Sequence, residues 1–223
     1  MKSRPSARHH LGSGALAFKR DRSVFIDCPF DPKFRPAFDA IVVSTICCGF
    51  FPRSAIESGG VAVPRMERIV QALRASKYSI HDLSRCQGEG SANLARFNMP
   101  LELGIAMAEG VGRRGSRYRH HWLLVVPHNH PYRQFISDLA GYDPIEYDGT
   151  PQGIVPAVMS WLATRPDAVQ CSTPSDVLES LPEFDVAAKM LGDRWHGQAP
   201  WEDLVLEAIR VGRETGLIPA TDT

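Results

Sequence analysis

The sequence predicts an α/β protein built on a parallel sheet of about five strands. Compact apolar runs typical of buried strands occur at Ser23–Cys28, Tyr78–Ser84 and His121–Val126. Segments with apolar residues at helical spacing separate these runs. Because strands that alternate with helices pair in parallel through right-handed crossovers, we expect all of them in one sheet.

The composition is that of a globular chain without an excess of either charge. Its 223 residues are 43% hydrophobic, enough for a sizeable core, and 25 basic residues balance 25 acidic ones. A broad basic surface for nucleic acid is therefore not indicated, and no apolar stretch is long enough to cross a membrane. Five cysteines without a C-x-x-C pair argue against disulfides or structural zinc, so we expect a reducing, cytoplasmic location.

The elements of the first half follow in chain order. Residues 1–22 are basic and are predicted to be a flexible tail, with an organelle-targeting segment as the alternative. The first strand leads into a helix, a short strand follows around Cys47–Phe51, and a polar loop covers residues 53–60. A second helix then leads to the third strand. The apolar positions that predict these helices are Phe38, Ile41 and Val42, then Val63, Met66, Ile69, Val70 and Leu73.

The second half repeats the alternation and then changes character. Residues 23–164 are predicted to form the α/β domain, whereas residues 165–223 carry no strand pattern and are predicted to form a helical appendage on its core. After the helix that begins near Asn98 and the strand His121–Val126, three elements complete the domain: a helix at Tyr132–Leu139, a short strand at Ile145–Tyr147 and an amphipathic helix at Gly153–Leu162.

Parallel pairing also predicts where the polar strand ends meet. Asp27, Asp82 and His128 each end a predicted strand, so all three should lie at one edge of the sheet. Ser84 and the Gly-rich loop Gln87–Ser91 follow the third strand at the same edge. A strand, a polar loop and then a helix N-terminus is how α/β proteins build ligand sites.

The helix that begins near Asn98 carries the strongest candidate for chemistry. Asn98 can cap this helix, Pro100 is tolerated in its first turn, and Gly110 can supply the left-handed residue that ends it. These boundaries place Glu102 in the first turn. We take Glu102 and Asp82 as the candidate catalytic residues.

Structural explanations compete with the functional one. A Glu in the first turn, such as Glu102, complements the helix dipole, and an Asp at a strand end, such as Asp82, can form a turn or a cap. Alternation along the strand turns either Asp82 or its neighbour His81 away from the site, and we choose Asp82. His128 and His130 flank a single Asn and supply too few ligands for a metal ion.

Three segments carry a resemblance to a known group of proteins. They are Val24–Asp31, Ile80–Ser84 and Asn98–Ala106, the last reading Asn-Met-Pro-Leu-Glu-Leu-Gly-Ile-Ala. In this order they resemble bacterial Toll/interleukin-1 receptor-like (TIR-like) nucleotide-binding proteins and, more distantly, nucleoside 2-deoxyribosyltransferases and related nucleotide N-glycosidases. The resemblance covers residues 23–164, and the segment Cys86–Arg96 is longer than the corresponding link in many relatives.

The resemblance implies a flavodoxin-like sheet with helices on both faces. It also implies that Glu102 attacks or stabilises the anomeric carbon as an N-glycosidic bond breaks, and that Asp82 contacts the sugar or orients the base. Phe30 and Asp31 match the loop that lines the nucleotide pocket in these families. The residues expected to bind substrate are Cys28, Phe30, Asp31, Ser84, Arg65, Arg96, Asn98 and Met99.

A carboxylate suits this chemistry because N-glycosidic cleavage passes through an oxocarbenium-like sugar, whose positive charge the carboxylate stabilises or traps. Helix N-termini and the Gly-rich loop offer N–H donors to the phosphates of a nucleotide. We therefore expect a nucleotide N-glycosidase, with NAD among its candidate substrates, of the kind bacteria use in antiviral defence. We expect no metal, and no cofactor beyond the nucleotide that is its substrate or ligand.

Two other functions would use the same fold. A binding module could sense a nucleotide in this pocket without cleaving it, since a fold does not dictate an activity. An assembly scaffold is the third, because TIR-like domains commonly associate. Whichever function applies, we expect a homo-oligomeric or protein partner, through the TIR-like domain or the helical extension.

Overall fold

Five parallel strands form the central sheet of the computed structural model, which describes residues 20–57, 63–86, 95–112, 115–116, 118–169, 172–197 and 199–219. They are β1 (Ser23–Asp27), β2 (Phe51–Ser54), β3 (Tyr78–Asp82), β4 (His121–Pro127) and β5 (Ile145–Tyr147). The strand order is β2-β1-β3-β4-β5, and each neighbouring pair is parallel. This order is that of the flavodoxin-like fold, so the predicted fold class is confirmed.

Helices connect the strands and continue the chain beyond the last of them. Proline stands at the first or second position of three of these helices, where its missing N–H costs little. The helices of the described residues are α1 (Arg35–Cys47), α2 (Arg65–Arg74), α3 (Asn98–Val111), α4 (Tyr132–Phe135), α5 (Pro151–Ala163), α6 (Pro174–Arg194) and α7 (Trp201–Glu214).

The two faces of the sheet are covered by different helices. Alternation directs Val24 and Ile26 of β1 to one face, where they are buried with residues of α1 and α5. Phe25 points to the opposite face and packs with Leu73 of α2 and Ala106 of α3. The sheet therefore has helices on both sides, as predicted. Alternation along β1, together with its register with β3, assigns each residue of these two strands to either the α1/α5 face or the α2/α3 face.

The C-terminal helices pack outside the sheet but share its main core. Helices α6 and α7 lie against α1, and α6 also contacts α5. Trp201, at the start of α7, is 2% exposed and stacks at a tilt on Phe38 of α1, with ring centroids 5.9 Å apart. Val177 and Phe184 of α6 are buried in the same cluster as Ile26 of β1. The prediction of helices packed on the α/β core is confirmed.

Three predicted element boundaries are wrong. Cys47 ends α1 instead of starting the second strand, which begins at Phe51 and includes Arg53 of the predicted polar loop. The helix predicted at Tyr132–Leu139 is broken at Ile136, whose non-helical backbone separates α4 from a short 3-10 helix. Where α1 is followed by β2, the run of apolar residues fits both a helix and a strand, and tertiary packing decides between them.

Helix α3 begins and ends differently from the prediction. Asn98 is its first residue and follows the N-cap Phe97, which makes no side-chain capping bond, so the predicted Asn98 cap is wrong. Gly110 lies inside the helix, which runs to Val111 and is followed by Gly112 in right-handed conformation. The absence of a side chain at Gly110 serves packing instead, because a Cβ there would overlap the ring of Trp122.

The N-terminal residues that the structure describes are attached to the domain. Arg20–Arg22 form a 3-10 helix, and the Arg20 guanidinium donates to the backbone oxygens of Arg74 and Tyr118 at 3.1 and 2.7 Å. The rest of the predicted tail, residues 1–19, lies outside the described residues. Among the described helices, none has the length and apolar character needed to cross a bilayer.

Candidate functional site

The polar strand ends meet at the carboxyl edge of the sheet. Because the sheet is parallel, Asp27 of β1 and Asp82 of β3 end at the same edge, and His128 directly follows β4 there. The prediction that these three residues share an edge is confirmed. Strands β1 and β3 are neighbours whose connections leave in opposite directions, and such a switch point creates the crevice where α/β proteins bind ligands.

Glu102 lies on the side of α3 that faces the sheet. The buried positions of this helix are Met99, Glu102, Leu103, Ala106 and Gly110, a stripe that would ordinarily be apolar throughout. Glu102 is only 3% exposed. Since α3 begins at Asn98, Glu102 lies in its second turn, and the prediction that it lies in the first turn is wrong. The helix dipole acts mainly within the first turn, so it does not explain a buried Glu here.

The carboxyl group of Glu102 forms a hydrogen bond with that of Asp27. Burial and the nearby Asp27 charge raise the pKa of Glu102 to about 9. Burial also raises the pKa of Asp27 well above its usual range, although the bond with Glu102 opposes this. Two buried carboxyl groups in contact cannot both ionise, so the pair holds at least one proton at neutral pH.

His81 completes this group from the neighbouring strand. Asp27 and His81 are direct partners in the β1/β3 ladder, and Nδ1 of His81 lies 2.8 Å from Oδ2 of Asp27. The histidine is fully buried, which lowers its pKa to about 3 and keeps its imidazole neutral. The sequence-based prediction places Asp82, and not His81, at the site. Only the strand register, which a single sequence does not reveal, would have favoured His81.

Asp82 points to the opposite face of β3 and has its own partners. The hydroxyl of Tyr147 donates to Oδ2 at 2.6 Å, and the backbone N–H of Ser84 donates to Oδ1 at 2.8 Å. Asp82 is completely buried on the α1/α5 side, and this burial raises the pKa of its carboxyl. The structure therefore brings Glu102 together with Asp27 and His81, and brings Asp82 together with Tyr147.

Asp31 ties the loop after β1 to the loop after β3. The guanidinium of Arg85 donates to both carboxylate oxygens of Asp31, at 2.9 and 3.2 Å, and Arg96 lies 3.6 Å away. Partial burial opposes ionisation of Asp31, but the hydrogen bond and charge of Arg85, the backbone N–H of Phe34 and the charge of Arg96 together outweigh it and lower the pKa. Arg85 was not among the predicted site residues. Its position next to Asp31 brings a second guanidinium to this edge.

The other predicted binding residues differ in their exposure and contacts. Cys28 is buried, and this burial together with the charge of Asp82 raises the pKa of its thiol, so the thiol stays neutral. Phe30 is 37% exposed and packs edge-on against Phe38. The remaining four are divided by exposure: Ser84 and Met99 are buried, whereas Arg65 and Asn98 are exposed at the starts of α2 and α3.

Two further predictions concern parts of this edge. The Gly-rich loop Gln87–Ser91 lies outside the described residues. Within the described residues, no three His, Cys, Asp or Glu side chains are grouped in a way that could hold a metal ion.

Comparisons with known proteins add no relative. No protein-family model, no curated protein and no solved structure matches the chain significantly.

Proposed function

We propose that this protein is a nucleotide N-glycosidase, which hydrolyses the bond between an anomeric carbon and a nitrogenous base, with NAD as its preferred substrate. The observation that carries the proposal is the buried carboxyl pair of Glu102 and Asp27 at the switch point between β1 and β3. In addition, Oε2 of Glu102 is buried and has no hydrogen-bond partner among the described residues. Buried polar atoms without partners are uncommon, and a ligand group would satisfy this one.

Glu102 is the residue that we expect to face the sugar. When the glycosidic bond breaks, its electron pair moves to the base nitrogen and the anomeric carbon becomes positively charged. An ionised Glu102 stabilises that charge more strongly in the transition state than in the ground state, which is what accelerates a reaction. Water then adds to the carbon and releases a proton, which completes the hydrolysis.

The ionised form of Glu102 favours a cationic substrate. An empty site keeps the Glu102 proton, because its pKa is raised to about 9 by burial and by Asp27. A substrate that carries a positive charge next to Glu102 favours the ionised form and displaces this proton. The nicotinamide ring of NAD carries such a charge and leaves as a neutral base, so it needs no proton from the enzyme. An uncharged nucleoside lacks both advantages.

Groups suited to the phosphates and the base lie around the same edge. Arg85 and Arg96 place two guanidinium groups beside one carboxylate, Asp31. No described side chain caps the first turn of α3, so its N–H groups can receive a phosphate. Phe97, at the start of α3, is 63% exposed and offers an apolar surface to a base. These features support a nucleotide as the ligand.

The test is base release by the purified protein and by two matched variants. NAD, NADP and a panel of nucleosides and nucleotides would be incubated with each protein, and free base would be followed by chromatography. We expect nicotinamide release from NAD and its loss, by at least about 100-fold, in Glu102→Gln. Glu109→Gln changes the same residue type in α3 at an ion pair with Arg74, and should keep full activity. Equal release by Glu102→Gln and the unchanged protein would overturn the assignment.

A nucleotide-binding module that does not cleave its ligand is the second candidate. The observation that favours it is the 3% exposure of Glu102, since a carboxyl this buried is more readily a sensor of ligand charge than a group open to substrate. Calorimetric titration with NAD separates the two candidates. Binding without base release identifies the module, whereas nicotinamide release identifies the enzyme.

A further inference from the structure

A continuous chain of hydrogen bonds leads from the Asp27/Glu102 pair to the opposite edge of the sheet. It begins with the contact of 2.8 Å between Asp27 and His81. Nε2 of His81 then lies 2.7 Å from Oγ of Ser79, which lies 2.8 Å from Nε2 of His120. The chain ends where Nδ1 of His120 lies 3.0 Å from the backbone oxygen of Ser76. The proposed function uses only the carboxyl groups of Asp27 and Glu102, and none of the other residues in this series of hydrogen bonds.

We call the four side chains of Asp27, His81, Ser79 and His120 the relay, and all four are buried. Asp27 is 4% exposed, His120 1%, and His81 and Ser79 are not exposed at all. Water therefore does not compete for these hydrogen bonds, and each donor must be matched by an acceptor within the chain. The Ser76 carbonyl at one end of the relay then determines the position of every proton along it.

The fixed end is the Ser76 carbonyl, which can only accept a hydrogen bond. The Nδ1–H of His120 must therefore donate to it. Burial lowers the pKa of His120 to about 4, so the imidazole is neutral and its Nε2 carries no proton. The hydroxyl of Ser79 then donates to this nitrogen.

The remaining protons follow from the Ser79 hydroxyl. Since its one proton is used for His120, its oxygen accepts from Nε2–H of His81. His81 is neutral as well, so its Nδ1 carries no proton and must accept. The only donor that faces Nδ1 among the described residues is Oδ2 of Asp27. The chain is therefore complete when Asp27 is a protonated acid.

The reverse order of protons is disfavoured. An ionised Asp27 would accept from Nδ1–H of His81, and each later bond would reverse in turn. The chain would then end with an unprotonated Nδ1 of His120 against the Ser76 oxygen, where two acceptors face each other in a buried site. One buried hydrogen bond would be lost, so the polarity of the chain is set by the Ser76 carbonyl.

Charged groups near the two ends of the relay affect the protonation of His120 and of Asp27. At His120 they disfavour a second proton, whereas at Asp27 their effects oppose one another. Near His120, the positive charge of Arg20 disfavours an additional proton on the imidazole. Near Asp27, the charge of Asp82 favours the protonated acid, whereas the hydrogen bond with Glu102 and the charge of Arg65 of α2 favour the ionised one. Arg65 is exposed, so solvent screens its effect.

We propose that Ser79 and His120 are positioning residues that hold the proton of Asp27 on Oδ2, directed at His81, so that Glu102 is the member of the carboxyl pair that ionises when a ligand binds. This inference rests on the proposed function only for its kinetic consequence. The relay leaves Oδ1 of Asp27 as an acceptor for Glu102. The negative charge of the pair then forms on α3, next to the crevice, and not on β1 below it.

The direct test is the tautomer of each histidine in the full-length protein, measured by long-range ¹H–¹⁵N correlation. We expect His120 with its proton on Nδ1 and His81 with its proton on Nε2, from pH 5 to pH 9. A proton on Nδ1 of His81 would overturn the inference, as would an imidazolium at either position within this range. This measurement needs no substrate and no variant.

A matched pair of variants tests the relay itself. Ser79→Ala removes the central hydroxyl, and Ser44→Ala removes a hydroxyl that is equally buried in α1 but lies outside the relay. We expect Ser79→Ala to lower the pH at which the ¹³C carboxyl resonance of Asp27 titrates and to populate the Nδ1–H tautomer of His81. Ser44→Ala should change neither. Identical spectra for Ser79→Ala and the unchanged protein would overturn the inference. If Ser79→Ala does not fold, the histidine tautomers of the unchanged protein test the inference by themselves.

Failure of the relay and failure of the proposed function give different results. Expected tautomers in a protein that releases no base from any substrate would leave the relay standing and overturn the enzyme. Base release that requires Glu102, with a proton on Nδ1 of His81, would leave the enzyme standing and overturn the relay. When both hold, Ser79→Ala should shift the pH profile of kcat, whereas Ser44→Ala should not.

Discussion

Asp27 and Glu102 share a hydrogen bond between two buried carboxyl groups, one at the end of β1 and the other in the second turn of α3. The crossover from β3 places α3 on the same face of the sheet as Asp27. The strand register then adds His81 directly beside Asp27. The site is thus assembled from three elements, and in none of them does the local sequence alone identify a partner.

Asp82 and Tyr147 form a second buried pair on the other face. We predict that Tyr147→Phe lowers the free energy of unfolding by roughly 1–3 kcal/mol, because Oδ2 of the completely buried Asp82 loses the donor that lies 2.6 Å away. Tyr142→Phe is the control, since Tyr142 is 36% exposed. Urea unfolding measures both variants. Equal midpoints for the two would contradict the prediction.

The sheet and its polar edge could be predicted, because buried strands leave apolar runs in the sequence and parallel strands end at one edge. The partner of Glu102 could not. Alternation shows that His81 and Asp82 face opposite sides of β3, but the side covered by α3 depends on the strand order and the direction of each crossover. No local pattern contains that information. The sequence therefore predicts Asp82 as the residue beside Glu102 and Asp27, whereas in the structure His81 occupies that face of β3.

Gly110 shows the same limit inside a helix. A glycine after an apolar helix is typical of a left-handed C-cap, and the prediction followed that local rule. The actual reason for the glycine is Trp122 of β4, whose ring occupies the space a Cβ would need. Residues far apart in the sequence therefore decide what a local motif means.

Two glycines of α3 provide a matched test of this close approach. We predict that Gly110→Ala destabilises the protein by roughly 1–3 kcal/mol, because the new Cβ overlaps Trp122 and lies 2.9 Å from the backbone oxygen of His120. Gly104→Ala, on the exposed side of the same helix with nothing within 4 Å, should stabilise it by up to about 1 kcal/mol. Urea unfolding of both variants should give midpoint shifts of opposite sign, and shifts of the same sign would argue against this packing.

The C-terminal helices are predicted to stabilise the α/β core. Trp201→Ala should lower the free energy of unfolding by roughly 3–5 kcal/mol, because it leaves a cavity between α7 and Phe38 of α1. Leu206→Ala, in the same helix at a position that is 50% exposed, should cost much less. A single cooperative transition with a shifted midpoint is expected for Trp201→Ala. An unchanged midpoint would show that α7 packs independently of α1.

The free energy of unfolding should depend on pH through Glu102. Burial raises its pKa from 4.5 to about 9, so the folded protein holds a proton that the unfolded chain releases above pH 4.5. Folding is therefore opposed increasingly as the pH rises from about 4.5 to 9, and the penalty is absent below that window. Glu102→Gln removes this penalty but can still donate a hydrogen bond to Asp27. Compared with the unchanged protein, Glu102→Gln should gain at least about 1 kcal/mol of stability between pH 5 and pH 9, measured by urea unfolding at several pH values. Glu109→Gln serves as the control at each pH. A constant difference between Glu102→Gln and the unchanged protein across this range would mean that Glu102 is already ionised in the folded state.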